Sequence, residues 1–264
     1  KIIDLAVKHG VDAVIASDQS VLQYCNSTGA RVHLSTQLNI SNIETLKFYS
    51  NFADVAVLAR ELDLEQVKEI SEGIKLEEIK GPSGEPFRVE MFVHGALCIA
   101  YSGRCLLSGY MSHRDSNQGA CTNSCRWKYD VVEARETATG DTVPLAVPQV
   151  PDSDTSPVVL LEEQNRPGEL MPAFEDEHGT YIMNSKDLRA VQHVETLAKL
   201  GIDSLKIEGR TKSVYYVART TQVYKHAIDD AMAGRPFDTA LMDELEGMAN
   251  RGFTEGFYRR HPPA

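Results

Sequence analysis

Arg31-Val-His-Leu-Ser35, Ser41-Asn-Ile-Glu44 and Asp54-Val-Ala-Val-Leu-Ala59 together form the stretch on which the reading of the fold turns. The first segment is a short β-type run. The second has the form of a capping box, in which a Ser or Thr and a Glu three residues later exchange hydrogen bonds across the first helical turn. The third is another short apolar run. Strand, helix and strand at this spacing make a βαβ unit, and such units build parallel sheets.

The rhythm extends in both directions. Val11 to Ala16 predicts a strand ending at Ser17-Asp18, followed by a helix to about Thr28. Asp63 caps a helix through the seventies, and Phe87 to Val93 is a fourth strand. The opening residues read as the tail of an amphipathic helix ending at Gly10 without an initiator Met, so a preceding segment is expected. After residue 180, Tyr181-Ile-Met183 is a short strand and Asn184 can cap a helix whose apolar face is Leu188, Val191, Val194 and Leu197, closed by Gly201. Ser204 to Ile207 is a further strand, followed by a helix from about Ser213 to Met232 with apolar positions at Val214, Val217, Thr221, Tyr224 and Ile228.

Six strands arise in this way, and two more βα units upstream would complete an eightfold ring. The expectation is an α/β fold, a (β/α)8 TIM-type barrel lacking its first two βα units in this chain. An open doubly wound sheet also accommodates six strands. Residues 1–94 and 181–264 would supply the barrel units. Residues 95–180, with four cysteines, the Pro-rich Val143 to Pro151 and the acidic Glu175-Asp-Glu177, read as an insertion with some hairpin structure and no separate fold.

Composition narrows the function classes. Hydrophobic residues are 42% and charged residues 25%, ordinary for a globular chain. No run approaches the roughly 18 apolar residues of a membrane helix. No signal peptide is visible, so a cytoplasmic protein is expected. The net charge of −11 argues against nucleic-acid binding by the whole surface and leaves room for a local basic patch.

In a reducing compartment, clustered cysteines bind metal or do chemistry more often than they form disulfides. Cys98-x6-Cys105-x15-Cys121-x3-Cys125 offers four soft donors, suited to zinc or to an iron–sulfur centre. Structural zinc sites pair ligands at short spacings, and only the last pair is short here, which leans towards a cluster. Cys25, alone on a helix, reads as a small buried hydrophobe.

Parallel barrels place their chemistry at the C-terminal ends of the strands. Those ends carry Ser17, Asp18, Ser35, Gln37, Arg60, Glu61, His94, Asn184 to Lys186, Lys206, Glu208 and Arg210. Arg60 and Arg210 suit a carboxylate or phosphate, or else ion pairs with Glu61 and Glu208. Arg60, Glu61, Asn184, Lys206 and Arg210 form the candidate substrate-binding set, and His94 and Glu208 the candidate catalytic pair. For His94 a structural hydrogen bond stands level with a role as a base or as a group beside the cysteine cluster. No His-Glu-x-x-His or Gly-x-Ser-x-Gly protease motif occurs.

Glu90-Met-Phe-Val-His-Gly-Ala-Leu-Cys98-Ile-Ala-Tyr-Ser-Gly-Arg-Cys105-Leu-Leu-Ser108 and Asn117-Gln-Gly-Ala-Cys121-Thr-Asn-Ser-Cys125-Arg-Trp-Lys-Tyr129 resemble the signature of the collagenase-like U32 peptidase family. Phe174 to Leu188, Ser204 to Ser213 and Arg251 to His261 extend the resemblance along the chain, towards the family's tRNA-hydroxylating branch. The resemblance implies a barrel and an iron–sulfur cluster of the 4Fe-4S type. It also implies formation of 5-hydroxyuridine at the wobble position of tRNA, with prephenate as co-substrate and the anticodon loop as partner. Other branches act as collagenases, hydroxylate a ribosomal-RNA cytidine, or hydroxylate a ubiquinone precursor. In the ubiquinone branch the fourth ligand lies near the segment before Tyr181, where this chain has no Cys, so Cys125 is a ligand by availability. For RNA contact the candidates are Arg104, His113, Arg114, Arg126, Trp127 and Lys128, with Arg251, Tyr258, Arg259, Arg260 and His261 as a second group.

Overall fold

The computed structural model describes residues 1–98, 100–127, 129–136, 142–144, 158–163, 168, 170–173, 186–209, 212–250 and 252–259. The chain divides into two compact units, residues 1–106 with 185–264, and residues 107–184.

In chain order the first unit opens with α1 (Ile2–Lys8), β1 (Val14–Ala16), α2 (Gln19–Thr28), β2 (Val32–Leu34), α3 (Ile43–Tyr49), β3 (Val55–Val57), α4 (Leu64–Leu76) and β4 (Arg88–Ala96). The second unit holds α5 (Leu107–Ser112), β5 (Tyr129–Glu136), β6 (Thr142–Pro144), β7 (Val158–Glu163) and β8 (Leu170–Ala173). The first unit resumes with β9 (Asp187–Arg189), α6 (Val194–Leu200), β10 (Ser204–Ile207), α7 (Val214–Met232), α8 (Ala240–Glu246) and β11 (Phe253–Thr254).

Local chemistry explains most boundaries. The Asp18 carboxylate accepts the Val21 N–H at 3.0 Å to start α2, and Gly29 closes it in the left-handed region. Asp63 and Gln66 form a reciprocal capping box on α4. The box expected from Ser41 and Glu44 does not form. Instead Asn42 begins α3, its side chain accepting the Thr45 N–H at 2.8 Å, and Asn is as good a cap as Ser.

Two helical expectations are corrected by tertiary contacts. Residues 187–189 are strand β9, not the start of a helix, because the Ala190 N–H goes to the Val93 carbonyl and the Asp187 N–H to the Gly252 carbonyl. A 3-10 turn (Val191–His193) then leads into α6, which Gly201 ends as expected. On α7 the buried face is Tyr216, Thr220, Val223, Tyr224 and Ala227, while Val214 is 87% exposed. The stripe is rotated from the expected one because two tyrosines with buried hydroxyl partners outrank aliphatic periodicity.

The first unit's sheet runs β1-β2-β3-β4 in parallel, and β10 adds to β4 in parallel. β4 is the hub: residues 88–90 pair with β3, 90–94 with β10 and 94–96 with β9. β9 is antiparallel to β4 and parallel to β11. Among the described strands the sheet does not close on itself, so where a closed barrel was expected there is a mixed, predominantly parallel open sheet.

β1, β2, β3, β4 and β10 lie side by side in chain order with no reversal. Right-handed crossovers then put every connecting helix on one face. The helices indeed pack in succession, α3 on α4, α4 on α6, α6 on α7 and α7 on α8. Beneath them lies a core that includes Leu22, Cys25, Leu34, Leu46, Val67, Val93, Leu197 and Leu241. Cys25 is fully buried, as a small hydrophobe would be.

The second unit carries its own sheet, ordered β6-β5-β7-β8 and antiparallel throughout. Hairpin structure was expected here. Its strands join into one sheet in a compact unit of their own.

Candidate functional site

Cross-strand partners in register share a face. His33, Val57, Glu90, Phe92, Ser204 and Lys206 therefore belong to one face of the sheet. Glu90 is buried, yet it sits mid-strand in an apolar run. Its Oε2 accepts the Ser204 hydroxyl at 2.9 Å and lies 3.7 Å from His33 Nδ1. The His33 contact and the Ser204 hydroxyl hold the Glu90 carboxyl below its usual range against the opposing effect of burial, and the Lys206 charge adds to them. The expected residue Lys206 is thus joined by Glu90, His33 and Ser204, which sequence reasoning missed. The available signal was a carboxylate inside an otherwise apolar strand, a position that demands partners.

His94 lies on the same strand and is fully buried. Its Nε2 is 3.0 Å from the Tyr216 hydroxyl and its Nδ1 3.4 Å from that of Tyr224. The Tyr224 O–H donates to the Val93 carbonyl at 2.8 Å, and its oxygen accepts the Ala190 N–H at 3.1 Å. The single hydroxyl hydrogen of Tyr224 is therefore committed, so the imidazole carries its proton on Nδ1 and Nε2 accepts from Tyr216. Burial pushes the His94 pKa down to about 4, with Lys212 and Arg189 acting in the same direction against Asp187. His94 is a neutral joint between β4 and α7. Glu208 follows β10, its amide on the His94 carbonyl at 2.9 Å. Gly95, at φ 125, lets that segment approach: a Cβ there would stand 2.5 Å from the Glu208 carbonyl oxygen. Asp187, fully buried, is 3.4 Å from Lys212 Nζ.

At the ends of β1 and β2, Asp18 and Ser35 serve as local caps. The Ser17 hydroxyl donates to Gln37 Oε1 at 2.7 Å. Arg60 and Glu61, after β3, engage Ser102 in the loop that joins Cys98 to Cys105. The Ser102 N–H donates to Glu61 Oε1 at 2.7 Å, and the Ser102 Oγ accepts from Arg60.

All five cysteines lie within the described residues as thiols, not disulfides. Cys98 and Cys105 belong to the first unit, Cys121 and Cys125 to the second. The Ala100 amide and the Arg60 guanidinium act to lower the Cys98 pKa, and the Cys105 thiol acts to raise it. Burial is nonetheless the largest influence and raises the Cys98 pKa. In the second unit, Cys121 Sγ accepts the Asn123 amide at 3.3 Å. The left-handed φ of 57 at Asn123, which Asn tolerates, turns that N–H back to the sulfur. A lattice of hydroxyls fixes the segment: Ser108, Ser112 and Ser124 all reach Thr122 Oγ1, at 2.9, 3.0 and 2.8 Å. Among the described residues, no group of three or more His, Cys, Asp or Glu is assembled as a metal site. Thiolate sulfur is the ligand type that iron–sulfur centres take, and the Asn123 amide on Cys121 is the kind of N–H donor that favours a thiolate.

The RNA candidates separate by exposure. Arg104, His113 and Arg114 are exposed, Trp127 is half-buried, and Arg126 is buried and so is no surface cation. Tyr258 is a core residue, its hydroxyl donating to the Phe92 carbonyl at 2.9 Å and its ring stacked on His193. Arg259 is exposed near Glu255. Lys128, Tyr181 to Ser185, Arg210, Arg251, Arg260 and His261 lie outside the described residues. Among the described residues no helix is long and apolar enough to cross a membrane.

Comparison with known proteins places this geometry in a family. The chain is 53% identical to tRNA hydroxylation protein P of Escherichia coli K12, over 97% of the chain and 57% of that protein. It is 51% identical to the Haemophilus influenzae protein of the same name, over 95% of the chain and 55% of the relative. A collagenase of Porphyromonas gingivalis W83 is 39% identical over 97% of the chain and 54% of that protein. The chain thus spans a little over half the length of these relatives. No solved structure matches it. The model of peptidase family U32 matches residues 1–264, and with the cysteine-bearing loops and the parallel sheet already described, the chain belongs to peptidase family U32.

Proposed function

We propose that the chain is part of an RNA-modifying hydroxylase that forms 5-hydroxyuridine at the wobble position of tRNA, in the cytoplasm and with prephenate as co-substrate. The observation that carries this reading is the identity of 53% and 51%, over nearly the whole chain, to two proteins named for tRNA hydroxylation. The parallel sheet is taken as an arc of a (β/α)8 barrel, supported by its unreversed strand order and its single layer of helices.

Replacing the C5–H bond of uridine by C5–OH is an oxidation of the base, and an iron–sulfur cluster supplies one-electron steps when bound. Cys98, Cys105, Cys121 and Cys125 would hold it. The chain's own residues would do the rest at the strand ends. Lys206 offers a cation to an anionic co-substrate, and Glu90, kept ionised by His33 and Ser204, sets a negative charge on the same face. Glu208 remains the carboxylate closest in sequence to this face, with Asn184 and Arg210 as further candidates outside the described residues. His94, neutral and bound at both ring nitrogens, positions β4 against α7 and does not transfer protons. Arg104, His113 and Arg114 are the exposed cations for the anticodon loop.

Nucleoside mass spectrometry of tRNA from a strain lacking the gene tests the reading. Loss of 5-hydroxyuridine derivatives, restored by the intact gene, is expected, and unchanged levels would refute it. The collagenase relative favours a second reading as a peptidase. A Cys–His dyad is the chemistry it would need, and His94 has committed both nitrogens to tyrosines. Cleavage of gelatin by the pure protein, with modification intact in the deletion strain, would reverse the order of the two readings.

A further inference from the structure

One face of α5 is fastened within the second unit. The Ser108 and Ser112 hydroxyls reach Thr122 Oγ1. The Tyr129 hydroxyl lies 3.0 Å from Met111 Sδ and 2.8 Å from the Ser124 carbonyl. Ser108, Met111 and Ser112 are spaced as one side of a helix. Tyr110 falls nearly opposite and is 63% exposed.

Gly109 stands next to it in the helix. Its backbone is not in the left-handed region, and a Cβ there would meet nothing nearer than the Asp115 Cα at 4.0 Å. Glycine weakens a helix relative to alanine, and here neither φ nor packing requires it. Its effect is to leave bare backbone beside an exposed aromatic residue. The helix then closes on His113, a non-glycine residue at a left-handed φ of 53, whose N–H returns to the Gly109 carbonyl at 3.0 Å. His113 and Arg114 are both exposed. The neighbouring Asp115 carboxylate accepts the Asn117 amide at 2.8 Å.

We propose that Tyr110, with the bare backbone of Gly109 beside it and His113 and Arg114 following, is a platform for the unpaired loop of an RNA. A base stacks on the Tyr110 ring, and the Arg114 guanidinium meets an adjacent phosphate. This rests on the tRNA reading given above. Every base has a π-face, so an exposed ring takes unpaired bases whatever their sequence, and a guanidinium pairs with phosphate. Bases inside a duplex are already stacked on their neighbours, so the platform separates loop from stem. On a chain of net charge −11, two adjacent exposed basic residues are the local exception that a polyanion needs. The fastening of the opposite helix face keeps the platform in place before RNA arrives, which lowers the cost of ordering it on binding.

The test measures fluorescence anisotropy of the full-length protein with two labelled RNAs, a hairpin with an unpaired loop and a blunt duplex of its stem. Tyr110→Ala is expected to weaken hairpin binding about tenfold and to leave duplex binding unchanged. Tyr110→Phe, which keeps the ring, binds as wild type. Gly109→Leu favours the helix and covers the bare backbone, so weaker hairpin binding is expected without loss of thermal stability. Arg114→Gln lowers affinity and reduces the salt slope by about one. Wild-type hairpin binding in both Tyr110→Ala and Gly109→Leu overturns the inference, and loss of 5-hydroxyuridine from the deletion strain then leaves the hydroxylase reading standing without it. Self-association that disappears in Tyr110→Ala, with RNA binding unchanged, gives the ring to a second copy of the chain and overturns the inference equally. Hairpin binding that depends on Tyr110, beside unchanged nucleosides in the deletion strain, keeps the platform and removes the hydroxylase reading.

Discussion

The two thiol pairs are held by different means. Around Cys98 and Cys105 the fastenings come from far along the chain: Ser102 is fixed by Glu61 and Arg60, 41 and 42 residues away in sequence. Around Cys121 and Cys125 they are local, a set of hydroxyls on Ser108, Ser112, Thr122 and Ser124 within one short segment. Long-range fastening ties the first pair to the integrity of the sheet. Local fastening lets the second pair keep its geometry for as long as its own segment does. A centre that needs both would be lost by damage to either, for unrelated reasons.

The largest effect that probes this contrast is ligand removal. Cys98→Ala and Cys121→Ala, one from each pair, are expected to reduce bound iron to background by elemental analysis. If only one does, the two pairs do not serve a common centre.

Next comes pH, which separates the sheet from the second unit. His94 has its pKa depressed from 6.5 to about 4 in the folded protein. Between those values the unfolded chain binds a proton that the native imidazole refuses, so stability falls as pH falls from 6.5 towards 4 and is fully present above that window. The contribution is on the order of a few kcal/mol. Denaturation of wild type and His94→Asn across this range should show a shallower slope in the variant, with equal slopes counting against the assignment.

Tyr224→Phe is expected to cost about 1–3 kcal/mol by urea denaturation, because it removes a buried hydroxyl that bonds the Val93 carbonyl and the Ala190 amide, which keep each other, and the His94 Nδ1, which is left without its partner. The smallest effect belongs to the local pair. Ser108→Ala takes the acceptor from the Thr122 N–H at a cost of about 1 kcal/mol. Hydrogen exchange should quicken at residues 121–125 and remain unchanged at 98–105. Equal quickening in both loops would dissolve the distinction between the pairs.

Much of this was legible beforehand where the cause is local. Asp63 caps α4 and Gly201 ends α6 as expected, helices follow Asp18 and Ser213 where expected, and Cys25 is in the core. The cysteine spacing marked the region of interest without geometry. What escaped was set by partners distant in sequence. Leu188 obeyed a helical period and became strand, because β4 offered the backbone of residues 187–190 hydrogen bonds that an isolated helix end does not. Tyr258 looked like a stacking surface and packs on His193.

The amino-acid sequence by itself determined the alternation of strands and helices, the caps that bound them and the four thiols in two loops, since these depend on side-chain type and near-neighbour spacing. Tertiary structure alone decided that Glu90 keeps company with His33, Ser204 and Lys206, that His94 is sealed between two tyrosines, and that Arg60 turns to Ser102. Those outcomes depend on which strand lies beside which, and hydrogen-bond direction and burial exist only once that register is made.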